Sequence, residues 1–293
     1  MTFASNAWAL LKDTVTSFID DNALSRGASI AYYTLFSIAP VLLIIVAIAG
    51  LVFGHDAAEG AIVGQLNGLM GDATAKALEE MIKSADNRAD GIVAVILGIA
   101  ALIVTATGVF GEVQSSMNAI WNAKSEASTL SRLVRARLAS LGLVVTCGFL
   151  LTVSLAVSAG LAALSKYLKG VFPGADVTLQ VFDFVVSTAL ISGLFAAIYK
   201  VLPDKPITWR DVAIGALATT LLFEGGKYLI ALYVGQSNIA SSYGAAGALI
   251  VLLVWIYYTA QIFLFGAEFT HAFAKRHGSH AESGAAAAFA PGG

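Results

Sequence analysis

Glu224 and Lys227 stand three residues apart in the apolar run TTLLFEGGKYLIALYVG (219–235), an acid and a base where hydrocarbon side chains prevail. On a helix they share a face and can reach one another. An ionisable group near a bilayer centre costs roughly 2.5–3.5 kcal/mol on insertion scales, so such residues face a bundle interior or a wet cavity. Between them lie Gly225 and Gly226, each costing about 1 kcal/mol relative to Ala in a helix interior. A helix thins, bends or breaks most easily there, and transporters build midplane sites from interrupted helices. The pattern fits a polar intramembrane binding site. It fits equally a buried structural pair whose glycines let a neighbouring helix approach.

Catalysis and metal binding find less in this chain. The four histidines are His55, His271, His277 and His280, none beside acids at ligand spacing, so no metal site is expected. No GxxxxGK[ST], GxSxG or HExxH motif occurs. Phosphodiester hydrolysis would call for paired metal-binding carboxylates in a cleft, and no such set is present. The expectation is a protein that is not an enzyme, with no catalytic residue and no cofactor. Cys147 is the lone cysteine, which excludes an intramolecular disulfide.

The elements that must hold the pair follow from composition. Of 293 residues, 58% are hydrophobic and 12% charged, about half the charge of a soluble domain. A formal net charge of -2 argues against a nucleic-acid partner. The N-terminus shows no cleavable signal peptide. We therefore expect an all-α, polytopic integral membrane protein with six transmembrane helices, at about 29–53, 91–111, 138–164, 177–199, 212–234 and 247–267.

Before the first span, residues 3–20 place Trp8, Leu11, Val15 and Phe18 at helical spacing, an amphipathic helix suited to the membrane surface or to the protein's own inner face. Pro40 predicts a kink in span one, since it removes a backbone donor. Residues 54–90 carry seven acidic and three basic side chains, with apolar positions at helical spacing, and read as two short helices in an extracytoplasmic segment. The second span is expected to continue into a helix carrying Gln114, Asn118 and Asn122, with Met117, Ile120 and Trp121 as its apolar side. The basic cluster Arg132, Arg135 and Arg137 suits anionic lipid head groups. Residues 276–293 are small, polar and glycine-rich, a disordered cytoplasmic tail. With the N-terminus inside, 11 of the 17 lysines and arginines fall on the inner side and 5 on the outer. The positive-inside rule then places both termini in the cytoplasm.

At 1.5 Å per residue, Glu224 lies about 18 Å into the fifth span, close to the midplane, with Gln261 at a similar level. Glu112 and Glu268 arrive near the inner surface, where Arg26, Tyr32 and Tyr33 begin the first span. This gives an inner gate of Arg26, Glu112 and Glu268 below a polar core of Glu224, Lys227, Gln261, Tyr32 and Tyr33, with Gly225, Gly226 and Pro40 as hinges.

Several segments together resemble the YihY/BrkB family of bacterial inner-membrane proteins: SIAYYTLFSIAP (29–40), FGEVQSSMNAIWNAK (110–124), YKVLPDKPITW (199–209), GALATTLLFEGGKYLIALY (215–233), SSYGAAGALIVLLVWIYY (241–258) and FGAEFT (265–270). The resemblance implies a six-helix protein of the cytoplasmic membrane. It adds Asn118, Trp121, Pro203, Tyr243 and Gly244 to the candidate residues. Family members have carried a ribonuclease label and a virulence-factor label, and no nuclease constellation is present here. The expected function is transport or export of an amphipathic or lipid-like substrate, with membrane lipids as partners. The alternative is a non-transporting envelope scaffold working through residues 54–90. Oligomeric state is not legible in the sequence.

Overall fold

The structure is a computed structural model that describes residues 3–70, 108–123, 175–236 and 245–278, with a few single positions between them. Among the described residues there is no β-strand. Six long helices lie among the described residues: α1 (Phe3–Asp20), α2 (Ala23–Phe53), α3 (His55–Met70), α4 (Ala175–Val201), α5 (Trp209–Gln236) and α6 (Ala245–His277). A further helical stretch, 108–120, packs among them. The second span expected from the sequence lies mostly outside the described residues and the third almost wholly so, as do Arg132, Arg135, Arg137, Tyr243 and Gly244.

Each boundary has a local cause. Asn22 takes φ 54 between α1 and α2, the left-handed region that asparagine tolerates better than most residues. α2 starts at Ala23, earlier than the expected span, and includes Arg26, whose Nε donates to the Asp21 carbonyl oxygen at 2.9 Å. Gly54, at φ 85, turns α2 into α3. The stretch 108–120 stops at Asn122, whose φ is 49. Backbone helix continues through Pro40. At the other end, α6 runs on to His277, ten residues past the expected end of the span. Lys275, Arg276 and His277 in its last turn complement the helix dipole, and Arg276 pairs with Asp13 of α1 at 2.5 Å.

The helices assemble around α6, which packs on α5, α2 and α1, while α4 packs on α5 and α3 on α2. One core cluster joins Tyr199, Phe223, Phe263 and Leu264 to Met117, Ile120 and Trp121, so the apolar side expected of 108–120 is buried. A second joins α2 and α3 to Leu252 and Ile256 of α6. Among the described residues, 184–201 in α4 and 249–277 in α6 are long and apolar enough to cross a membrane. α1 packs on the protein through one side and leaves another uncovered. Phe18 meets Phe265 edge-on at 5.7 Å, while Trp8, Leu11, Val15 and Ile19 are exposed along the other side.

Candidate functional site

α5 presents two different faces, and the periodicity of its sequence decides which residues go where. Thr219, Thr220, Glu224 and Lys227 lie on its polar side. Thr219 Oγ1 donates to the Gly215 carbonyl oxygen at 2.7 Å and lies 3.0 Å from the Tyr199 hydroxyl, which donates to the Phe263 carbonyl oxygen at 2.7 Å. Thr220 Oγ1 donates to Ala216 O and accepts from Ser192 Oγ of α4 at 2.9 Å. Two turns of polar contact thus join α4, α5 and α6. One turn on, Glu224 is only 8% exposed and meets Lys227 Nζ at 2.5 Å. The pair is intrahelical and neutral as a unit, which is how a charge is sheltered in an apolar setting at least cost.

The helix does not break between them. α5 is continuous from Trp209 to Gln236, so the expected hinge at Gly225 and Gly226 is not present in this conformation. The two glycines differ in their surroundings. A Cβ on Gly226 would overlap the Tyr258 hydroxyl and Ile262 of α6, so glycine there permits close helix packing. A Cβ on Gly225 would meet nothing within 4 Å, because that position faces an open groove.

The groove runs between α5 and α6 with α1 at one end, and its volume is about 400 Å³. Gly225, Gly226 and Leu229 of α5, Tyr258, Gln261 and Ile262 of α6, and Phe18 of α1 line it. That volume is within the range of small-molecule sites, and so is a mostly apolar wall with few polar groups. Gln261 supplies the amide: its Nε2 donates to Leu24 O at 3.3 Å, and its Oε1 is buried with no hydrogen-bond partner among the described residues. Buried polar atoms are nearly always satisfied, but this oxygen has essentially no exposed surface and its amide lies against Gly27, so it is not open to the groove.

The polar core expected from the sequence is therefore divided. Gln261 belongs to the groove, and neither Glu224 nor Lys227 lines it. Tyr32 and Tyr33 are exposed on α2, Tyr32 stacked edge-on with Tyr33 and beside Phe36, and Tyr33 against Gly108. They join neither group. Of the expected gate, Arg26 acts on Glu268 at a distance and forms no ion pair with it among the described residues. Glu268 is 0% exposed, with Arg26 and Lys275 near enough to attract its carboxylate and Asp21 near enough to repel it. Neither Glu268 oxygen has a hydrogen-bond partner among the described residues. Glu112 is partly buried in 108–120 and forms no ion pair among the described residues.

Sequence reading missed Asp204. Asn118 Nδ2 donates to Asp204 Oδ2 at 2.8 Å, and the Asp204 backbone N–H donates to Asn118 Oδ1 at 2.8 Å. Lys205 Nζ donates to Trp121 O at 3.1 Å. The turn after α4 therefore clamps 108–120, and Trp121 lies against His271 with ring centroids 4.9 Å apart. An acid in a proline-rich turn, PDKP, opposite a helix rich in Gln and Asn, was the available signal.

Long apolar helices, sheltered charges and a side-opening groove define the class of an all-helical integral membrane protein. The pattern of the family described as virulence factor BrkB matches residues 14–291, and the chain belongs to that family. Similar proteins are named UPF0761 membrane proteins. One from Alteromonas mediterranea is 28% identical over 96% of this chain and 95% of its own length. One from Klebsiella pneumoniae is 35% identical over 57% of this chain and 59% of its own. One from Rhodospirillum centenum is 26% identical over 90% of this chain, which spans 57% of that longer relative. No solved structure matches the chain.

Proposed function

We propose that the protein carries an amphipathic, lipid-like substrate across the bacterial cytoplasmic membrane, with both termini in the cytoplasm and without enzymatic chemistry. The observation that carries this reading is the α5–α6 groove: apolar along most of its length, floored by glycine at Gly225 and Gly226, with the Gln261 side chain in its wall. An acyl chain fits the apolar wall. Membrane lipids are the partners in this reading. The distribution of lysine and arginine along the chain supports the orientation.

Substitution at Gly225 tests it, because a side chain there enters open space. Gly225→Leu should fold at least as well as the parent, since leucine is favoured over glycine in a helix by about 0.8 kcal/mol, yet it fills the groove. In vesicles carrying a fluorescent phospholipid, the parent protein should move lipid between leaflets and Gly225→Leu should slow that movement at least about tenfold, roughly 1.4 kcal/mol in the barrier. Equal rates for the two proteins, or a parent no faster than empty vesicles, would remove the proposal.

A further inference from the structure

Glu268 is fully buried, carries two oxygens without hydrogen-bond partners among the described residues, and lies close enough to the Asp21 carboxyl for the two to interact. We propose that Glu268 and Asp21 form a binding site for one proton, and that its occupancy sets how the α1–α2 corner sits over the groove. This proposal rests on the groove being the substrate path.

The groups that face Glu268 come from every neighbouring helix. The end of α1 gives Asp21, α2 gives Arg26, and α6 itself gives Lys275. One turn along α6 is His271, its ring held against Trp121. α5 meets this level of α6 through Gly215 and Thr219, which carry no charge. The stretch 108–120 carries Glu112, partly buried and without an ion pair among the described residues, and it is not among the groups that act on Glu268. With a proton bound, one carboxyl is an O–H donor and the other its acceptor, so the orphan oxygens gain a partner. When the proton leaves through partly exposed Asp21 to water, two carboxylates face each other. Arg26 and Lys275 offset part of that repulsion.

The corner is joined to the groove by short links. Phe18, three residues before Asp21, lines the groove and meets Phe265. Gln261 lies two turns before Glu268 on the same face of α6 and holds Leu24 O, while Gly27 lies directly against its amide. Pushing Asp21 away from Glu268 therefore draws on the contacts that position Phe18 and Gln261. A proton at Glu268 and a chain in the groove act on one corner.

A spin label at exposed Ser25 reads the corner without any substrate. It is placed as Ser25→Cys on a Cys147→Ser background, in the purified full chain in detergent. Across about pH 5 to 9, the ratio of mobile to immobile label should change about tenfold per pH unit through a single midpoint, the slope of one proton. Glu268→Gln and Asp21→Asn should each abolish that step, and Asp21→Asn decides the matter if Glu268→Gln does not fold. A step that survives both substitutions, or no step in the parent, would overturn the proposal. So would a midpoint that moves with sodium at constant ionic strength, which would identify a metal cation instead. Because no lipid enters this measurement, its failure leaves the groove reading standing, and failure of lipid movement leaves this result intact.

Discussion

Lys227→Met will lower stability by about 3 kcal/mol, the low end of the cost of removing one partner from a buried ion pair. The reason is what stays behind. Glu224 has a side chain only 10% exposed and loses the cation 2.5 Å away. No second cation is paired with it among the described residues. Glu224→Gln combined with Lys227→Met should recover most of the loss, because no charge is then stranded. Such non-additivity is the signature of a coupled pair. Thermal unfolding of the purified variants in detergent checks it; a single variant as stable as the parent, or a double variant worse than the sum, contradicts it. Since the pair does not line the groove, any loss of lipid movement in Lys227→Met should follow its loss of folded protein.

Gly266→Ala will be comparably severe, about 3 kcal/mol, the upper end of ordinary overpacking. A Cβ at Gly266 would overlap Thr219 Oγ1 and come within 2.7 Å of the Tyr199 hydroxyl and 2.8 Å of Thr219 Cβ. Neither neighbour is free to yield. Thr219 is β-branched, and so stiff, and is bonded to Gly215 O; Tyr199 is fully buried and bonded to Phe263 O. The added methyl must push α5 and α6 apart or break those bonds. Gly225→Ala on the neighbouring helix is the internal control, neutral or mildly stabilising. Equal unfolding temperatures for Gly266→Ala and the parent would show that α5 and α6 are not this closely packed.

Much of this could be read from residue order, and the exceptions have physical causes. The apolar runs gave α2, α4, α5 and α6 because burying a backbone in hydrocarbon demands helix. Their ends moved because local chemistry overrides hydropathy: Asn22 in the left-handed region admitted Arg26 to α2, and the basic last turn carried α6 to His277. Charge spacing found the Glu224–Lys227 pair. It did not reveal which side of α5 the pair occupies, because that depends on α4 and α6. Glycine in a helix reads the same whether it bends, faces a groove or admits a neighbour. Only the structure separates Gly225, beside open space, from Gly226, beneath Tyr258. Glu268 was placed with Arg26 by counting residues along spans. Its meeting with Asp21 depends on the angle of the α1–α2 corner, and no spacing encodes that.

The central claim is that a lipid-like chain occupies the α5–α6 groove. Photolabelling tests it most directly: the protein is reconstituted with a phospholipid carrying a photoreactive group in its acyl chain, illuminated, and mapped by peptide. Labelling should concentrate on groove residues such as Leu222, Leu229 and Ile262, and fall at least about fivefold in Gly225→Leu, roughly 1 kcal/mol of occupancy. Labelling of exposed Phe182 and Val185 on α4 at the same density as the groove, unchanged by Gly225→Leu, would contradict it.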